Sequence, residues 1–223
     1  MRTDCRSPNY NERDGQTVDM LVLHYTGMQS PDAALERLCD PAAEVSAHYL
    51  IDEAGEVFAL VDESRRAWHA GVASWRGEAN INSRSIGIEL VNPGHEYGYR
   101  DFPEAQMQAL IPLCQGILSR HAVAPRNVVG HSDVAPLRKT DPGERFDWPR
   151  LAAAGIGLWP VPDDRQTATD PAAVTAALGT FGYDVADPEA AISAFQRHFR
   201  RHLVDGVADA ETRRSIAALL TLI

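Results

Sequence analysis

Hydrophobic and polar positions first follow strand-like and helix-like periods in alternation. An unbroken apolar run at 20–23 ends at His24, which is typical of a buried strand. The run "RSIGIELVN" alternates as a strand does, and "SAHYLID" and "GEVFALVD", joined by "EAG", predict a hairpin. A last strand is predicted in "RNVVGH", ending at His131.

Helical patterns separate these strands. Ser30 followed by Pro31 predicts the start of a helix, with the serine as its N-cap. The segment "PEAQMQALIPLCQGILSRH" has apolar residues at helical spacing, and Pro112 inside it predicts a kink or a boundary. Because strands and helices alternate to about residue 150, the sequence predicts an α/β class with a mixed β-sheet flanked by helices.

The pattern after residue 167 is helical only. Asp170, Asp187 and Asp209 each precede a helical run as N-caps, and Gly179 is expected to end the first helix. The sequence therefore predicts three short helices in this part of the chain.

Two domains follow from this change of pattern. We expect residues 1–160 to form the α/β domain and residues 168–223 a small three-helix domain, joined by the polar, proline-containing "GLWPVPDDRQTATD". A core of that size is marginal alone, so the second domain is expected to lean on the first. Residues 1–16 are polar and irregular and are expected to form a surface arm.

Charge and cysteine content narrow the function classes. The net charge of −10 argues against nucleic acid as the main partner, since phosphate recognition needs a basic surface. Three cysteines without a CxxC pair argue against a disulfide framework and a cysteine zinc site. Cys39 and Cys114 fall in helical segments and are expected to be buried thiols.

The chain shows neither a membrane span nor an export signal. No stretch approaches ~18 apolar residues, and the start "MRTDCRSPNYNERDG" lacks an apolar signal core. As written, the protein is expected in the cytoplasm; a trimmed signal would instead make it periplasmic or anchored at the outer membrane.

Two histidines share a position at the end of an apolar strand. They are His24 and His131, and Asp141 lies on the loop after the second. Ligands gather at the carboxyl ends of strands in open α/β sheets, and zinc accepts such a set while leaving a fourth position for water. Each residue alone is more often structural, so the set becomes a metal site only if the three side chains converge.

Two further side chains are candidates for chemistry beside such a metal. The isoleucines and leucine of "SIGIEL" share one strand face, so Glu89 points to the other face among small residues. It is either a solvent-facing carboxylate or a general base for an attacking water. Lys139 is either a solvated loop lysine or an ammonium that stabilises the oxyanion of an amide under attack.

Five segments of the chain, in order, resemble one enzyme family. They are "VLHYTG", "SAHYLI", "AWHAGVASWRG", "NSRSIGIELVNPG" and "GHSDVAPLRKTDPG". Over about residues 15–150 the chain resembles the zinc-dependent N-acetylmuramoyl-L-alanine amidases of the type 2 amidase family. These enzymes cut peptidoglycan between N-acetylmuramic acid and the first L-alanine of the stem peptide. The most similar branch accepts 1,6-anhydro-muropeptides in cell-wall turnover and recycling.

The resemblance implies a role for each matching residue. One zinc ion per chain would be held by His24, His131 and Asp141, while Glu89 and Lys139 would be catalytic. All five are present, which implies an active enzyme. Peptidoglycan or muropeptide fragments are the implied partners, and the sequence leaves the oligomeric state open.

Other residues of these segments are candidates for a substrate groove. They are Tyr49, His69, Trp75, Asn80 and Arg84. Trp75 is a candidate to stack on a sugar face, and Arg84 to meet a stem-peptide carboxylate. His69 or His48 is alternatively a partner that orients a metal ligand, and Trp68 is expected in packing.

The C-terminal segment resembles a three-helix peptidoglycan-binding domain through "AFQ", "VDG" and "DAET". Phe195 is interpreted as a core residue, because it repeats with Phe199 at helical spacing. Such a domain would raise the local concentration of a polymeric substrate. Alternatively, it only packs on the catalytic domain.

Three other functions are compatible with the same residues. A non-catalytic peptidoglycan-recognition protein would use the groove to sense wall fragments, but it would be expected to lack a zinc ligand. A zinc peptidase would cut within the stem peptide. A structural wall anchor would depend on the helical domain alone.

Overall fold

The structure is a computed structural model, in which residues 1–162 and 167–223 are described. The strands are β1 (Tyr10–Asn11), β2 (Met20–Tyr25), β3 (Tyr49–Ile51), β4 (Val57–Ala59), β5 (Arg66–Ala67), β6 (Ser85–Leu90) and β7 (Val128–Gly130). The α-helices are α1 (Pro31–Cys39), α2 (Ile81–Arg84), α3 (Gly94–Tyr97), α4 (Glu104–Arg120), α5 (His131–Val134), α6 (Trp148–Ala153), α7 (Val174–Phe181), α8 (Pro188–Phe199) and α9 (Ala210–Leu220). Short 3₁₀ turns cover Pro41–Ala43, Pro125–Asn127 and Pro171–Ala173. Within residues 1–162 and 167–223, no helix is long and apolar enough to cross a membrane.

A five-stranded mixed sheet forms the centre of the fold. Its order is β4-β3-β6-β2-β7; neighbouring strands from β3 to β7 run parallel, and β4 pairs antiparallel with β3 at one edge. This confirms the predicted class, the hairpin and the strands around His24 and Glu89. Because parallel strands end at the same edge of the sheet, His24 and Glu89 lie side by side as register partners.

The two faces of the sheet are buried against different helices. One face carries the buried alternate positions of β2 and β6 and packs on α4 and α6; its strand residues are Leu21, Leu23, Ile86, Ile88 and Leu90. The opposite face contributes Met20 and Val22 to a core shared with the C-terminal helices. His24 and Glu89 follow the period of this second face.

The predicted helix starts are confirmed by their caps. The side chains of Ser30, Asp187 and Asp209 accept hydrogen bonds from the backbone N–H groups three residues later, at 2.9–3.2 Å. Asp170 caps the 3₁₀ turn that leads into α7. Each such cap is typically worth about 1 kcal/mol.

Two expectations about helix interruption are wrong. Helix α4 continues from Glu104 to Arg120 through Pro112, which lies on its exposed side, so the alternative of a helix boundary at this proline is wrong. Helix α7 continues through Gly179 and ends at Gly182, whose φ of 149° lies outside the helical range. The predicted interdomain linker, residues 157–170, lies partly outside the described residues.

The N-terminal segment is built into the fold instead of lying loosely on it. Its strand β1 pairs with β5, and the buried guanidinium of Arg13 donates to the main-chain carbonyls of Glu63, Ser83 and Ser85 at 2.8–3.0 Å. A guanidinium has five donors, so one buried arginine can satisfy several carbonyls at once. A polar sequence does not reveal such distant partners.

The C-terminal helices share one core with the sheet. Phe195 is fully buried, as predicted, and it packs in a cluster that also contains Met20, Val22 and Trp75 of the first 160 residues. This continuity agrees with the expectation that the small helical unit leans on the larger one.

We expect Phe195→Ala to lower the free energy of unfolding by about 3–5 kcal/mol, because it empties a fully buried site. Urea unfolding followed by circular dichroism measures the loss. Leu203→Ala, at a side chain that is 44% exposed, is the control and should cost under about 0.5 kcal/mol. A split transition in the Phe195→Ala protein would contradict a single shared core.

Candidate metal centre and active site

Three side chains converge at the carboxyl edge of the sheet. Nδ1 of His24, at the end of β2, lies 2.9 Å from Nδ1 of His131, which begins α5 after β7. Both nitrogens lie 3.1 Å from Oδ2 of Asp141. All three residues are buried, and their ligand atoms are close enough for one metal ion to contact them together.

The outer nitrogens of both histidines are already bonded. Nε2–H of His131 donates to the carbonyl of Ala70, and Nε2–H of His24 donates to Nδ1 of His69, both at 3.0 Å. His69 in turn bonds to Oγ of Ser85 through its Nε2–H, at 3.1 Å. These bonds direct both Nδ1 lone pairs into the centre, as a metal site requires.

The His69 ring fits only because its neighbour in β6 is a glycine. A Cβ at Gly87 would lie 2.5 Å from the His69 ring, far inside van der Waals contact. The structure therefore places His69 behind His24, in the orienting position considered as the alternative to substrate binding.

The ionisation of the ligands also suits a cation. Burial, reinforced by the neighbouring His131, lowers the pKa of His24 to about 4, so its imidazole is neutral at pH 7. Burial opposes ionisation of Asp141, but the adjacent His131 and His24 outweigh it and hold the pKa of this carboxyl well below its usual range. Neutral imidazoles and an ionised carboxylate are the forms that bind metal ions.

Glu89 lies beside this centre with a free oxygen. It is 8% exposed, and its Oε2 is buried without a hydrogen-bond partner among the described residues. Burial, followed by the charge of Asp141, raises the pKa of Glu89 well above its usual value, and the charge of Lys139 opposes that rise. A buried carboxylate with a raised pKa in a cleft is typical of a proton-transfer residue.

The cleft over the centre has a volume of about 430 Å³. Its walls include Glu89, His131, Lys139 and Asp141, together with Arg37 and Leu38 of α1. The half-buried ammonium of Lys139 has no hydrogen-bond partner in residues 1–162 and 167–223. Lys139 is also the chain's only lysine among 21 basic residues, a signal in the sequence that points to a specific need for an ammonium.

Trp75 is not a groove residue. It is fully buried, and its ring packs edge-on against Phe181 and Tyr183 at 5.7 and 5.2 Å between centroids. Its Nε1–H donates to Asn127 at 3.3 Å. No face of the indole is open to a sugar, because the C-terminal helices cover it.

Three other predicted groove residues lie away from the cleft. Tyr49 is buried and donates its hydroxyl to Glu63 at 2.6 Å. Arg84 precedes β6, at the end opposite Glu89, where it is paired with Asp19; Asn80 borders the same surface pocket as Arg84. Arg84 shares a motif with Glu89 but lies far from it, because the four residue steps of β6 from Ser85 to Glu89 span about 13 Å.

Other residues at the cleft were not singled out in the sequence. Arg37 lines the cleft from α1, and Tyr25 bonds through its hydroxyl to Thr140 at 3.0 Å, beside Asp141. Trp68, expected in packing, is half-buried and borders an adjoining pocket that also includes Lys139. Their positions in the sequence could have identified two of these residues, since Thr140 lies between Lys139 and Asp141 and Tyr25 directly follows His24.

Comparisons with known proteins agree with this geometry. Residues 14–144 match the family described as N-acetylmuramoyl-L-alanine amidase. The chain is 40% identical, over 91% of its own length and 82% of the relative's, to N-acetylmuramoyl-L-alanine amidase AmiD of Escherichia coli K12. It is 37% identical, over 66% of its length and 86% of the relative's, to 1,6-anhydro-N-acetylmuramyl-L-alanine amidase AmpD of Citrobacter freundii.

Solved structures extend the likeness to the whole chain. A complex of the E. coli amidase AmiD with the substrate anhydro-N-acetylmuramic acid-L-Ala-D-gamma-Glu-L-Lys superposes with a TM-score of 0.82 at 37% identity, covering 100% of this chain and 93% of the other. AmpDH3 of Pseudomonas aeruginosa in complex with anhydromuramic pentapeptide gives a TM-score of 0.83 at 36% identity, covering 100% and 96%. The fold, the converging side chains and these likenesses lead to one conclusion: the chain belongs to the N-acetylmuramoyl-L-alanine amidase family.

Proposed function

We propose that this protein is a zinc amidase that cuts between N-acetylmuramic acid, including its 1,6-anhydro form, and the L-alanine of the stem peptide. The observation that carries the proposal is the convergence of His24, His131 and Asp141 beside Glu89, whose buried Oε2 has no hydrogen-bond partner in the described part of the chain. The substrate class is supported by two relatives of known structure, which bind anhydromuramic peptides.

Zinc fits the donor set at this centre. Two imidazole nitrogens and one carboxylate oxygen are ligands that zinc prefers, and one ion per chain would be held by His24, His131 and Asp141. When bound, zinc supplies a Lewis acid that polarises a carbonyl and lowers the pKa of water.

Glu89 and Lys139 would divide the remaining chemistry. Glu89 accepts a proton from the attacking water while the water oxygen bonds to the amide carbon. The ammonium of Lys139 stabilises the negative charge on the former carbonyl oxygen. Glu89 then delivers the proton to the nitrogen of L-alanine as the C–N bond breaks, so the products are the sugar carboxylate and an intact stem peptide.

Substrate binding is assigned to the rim of the cleft instead of the residues named from the motifs. Arg37 is exposed and borders the cleft. The stem peptide carries carboxylates, so a guanidinium at this rim would bind one of them by a charge-assisted hydrogen bond.

The direct test is mass spectrometry of products from purified anhydro-muropeptide, with zinc-loaded and chelator-stripped protein side by side. We expect free stem peptide plus sugar with zinc and neither product without it. Fragments cut within the stem would indicate a peptidase. Binding without any cleavage by the zinc-loaded protein would indicate a recognition protein.

We expect Lys139→Met to lower kcat by about 10²–10³-fold while zinc binding stays unchanged, because the variant loses only the charge facing the oxyanion. Steady-state kinetics and zinc stoichiometry on the same preparation measure both effects. Arg201→Met, at another basic residue outside the cleft, is the matched control and should keep wild-type kcat. Loss of zinc from the Lys139→Met protein would mean that the lysine supports the metal centre.

A further inference from the structure

Asp133 is a buried carboxylate that the proposed reaction does not use. It lies in α5, two residues after His131, and is 1% exposed. Its Oδ2 accepts the backbone N–H of Gly130, at the end of β7, at 2.7 Å. The N–H of Ser132, two residues later, donates to the carbonyl of Asp141 at 2.9 Å. The short helix α5 therefore ties together the segments that carry two of the three converging side chains.

The remaining bonds to Asp133 come from the C-terminal helices. Tyr183, between α7 and α8, donates its hydroxyl to Oδ1, and Nδ1–H of His198 in α8 donates to Oδ2, both at 2.7 Å. Burial and the charge of Asp133 raise the pKa of Tyr183 well above its usual value, so this hydroxyl remains a donor. The His198 ring is stacked on Trp148 at 3.7 Å between centroids, which fixes its orientation.

We propose that Tyr183 and His198 are positioning residues, through which the C-terminal helices hold α5 and His131 in place for the metal. Residues 168–223 then serve the catalytic centre directly, whether or not they also bind wall polymer. A donor set held in advance binds its metal more tightly, and partners outside the ligand set are worth about 10–100-fold in metal affinity. The inference rests on the proposed zinc site.

The test measures zinc affinity of the full-length protein by competition with a chromogenic chelator. We expect Tyr183→Phe and His198→Leu each to weaken zinc binding about tenfold, and the double variant by up to about 100-fold. His198→Asn, which keeps an N–H donor near the position of Nδ1, should recover part of the loss. The visible absorption of the Co²⁺-loaded variants should shift, because the ligand geometry around the ion changes.

The control separates positioning from general packing. Ile216→Val removes a buried methylene group from α9 without touching Asp133, so it should destabilise the same helices while zinc affinity stays unchanged. Equal weakening by Ile216→Val, or wild-type affinity in Tyr183→Phe and His198→Leu, would overturn the inference. Failure of the wild-type protein to bind zinc at all would instead overturn the proposed function.

An independent observation concerns the cysteines of the N-terminal segment. Sγ of Cys5 lies 2.8 Å from Sγ of Cys39, the last residue of α1, compared with about 2.05 Å in a disulfide. Neighbouring residues fix this approach: the hydroxyl of Ser7 donates to the carbonyl of Leu38 at 2.5 Å, and the side-chain amide of Asn9 donates to the carbonyl of Asp40 at 2.8 Å. The expectation that Cys39 is a buried thiol is therefore wrong, since it is half-buried and in contact with Cys5.

We propose that Cys5 and Cys39 form a disulfide when a disulfide donor such as oxidised glutathione is present. Two S–H bonds break and one S–S bond forms; two electrons and two protons pass to the donor, which leaves as two thiols. Burial, followed by the hydrogen bond with Cys5, raises the pKa of the Cys39 thiol. The bond would close a loop of 34 residues and fasten the N-terminal segment to α1, which forms one wall of the cleft.

Intact mass and alkylation of the denatured protein test this bond. After oxidation by glutathione we expect one alkylated cysteine, Cys114, in place of three, and a rise in Tm of roughly 5–10 °C. Cys114→Ala should keep the rise in Tm and Cys5→Ser should lose it. Three reactive thiols after oxidation, a lasting glutathione adduct, or a disulfide between two chains would overturn the proposal.

Discussion

Glu89→Gln is expected to lower kcat by about 10²–10⁴-fold while the protein still binds one zinc ion per chain. The amide has the shape of the carboxylate but cannot accept the proton of the attacking water. The change removes a buried charge, since Glu89 is 8% exposed and its Oε2 is unpartnered among the described residues, so folding should not suffer. Single-turnover kinetics on an anhydro-muropeptide measure the loss, and metal analysis of the same sample checks zinc.

The pH profile gives this prediction a second readout. A general base acts only when ionised, and burial together with the charge of Asp141 raises the pKa of Glu89. The wild-type rate should therefore fall as the pH drops through the pKa of Glu89, and this acid limb should vanish from the residual activity of Glu89→Gln. Glu36→Gln, at an exposed position of α1 that does not line the cleft, is the matched control and should keep both rate and limb. An unchanged rate in Glu89→Gln would mean that Glu89 is not the general base.

Strand periods were sufficient to predict the parts of the centre that depend on the sheet. The apolar run before His24 and the alternation around Glu89 predicted two strands, and the parallel register of β2 and β6 makes these residues neighbours. What periodicity could not predict was the convergence of Asp141, which depends on the path of an irregular loop. Its role came from the resemblance of "GHSDVAPLRKTDPG" to the amidases, and its location came from the structure.

Motif membership was a poor guide to the groove. Trp75 and Arg84 stand in segments that resemble the family, yet one is buried under the C-terminal helices and the other lies at the far end of β6. A motif combines residues that bind substrate with residues that support the fold, and sequence letters do not separate them. Long-range packing decides which motif residues line the groove, and such packing is hard to predict from the sequence.

The C-terminal helices illustrate the same limit in the opposite direction. Their caps and the buried Phe195 were predicted correctly from local signals. The bonds from Tyr183 and His198 to Asp133 connect residues 50 and 65 positions apart, which no local period reports. The resemblance to a wall-binding domain rests on three short motifs and carries no information about these contacts.

Asp141→Asn is expected to abolish the stabilisation by zinc, with a loss of affinity greater than the ~10–100-fold typical of partners outside the ligand set. The substitution keeps the size of the side chain but removes the charge that lies 3.1 Å from Nδ1 of both histidines. At a zinc concentration 100 times the Kd, wild-type protein should gain about 2.7 kcal/mol in its free energy of unfolding. Chemical unfolding with and without zinc measures that gain, which should disappear in Asp141→Asn together with turnover.

His202→Gln, whose side chain is 63% exposed, is the control and should keep the full gain in stability on zinc binding. Wild-type zinc stabilisation in Asp141→Asn would mean that the three converging side chains are not the metal ligands.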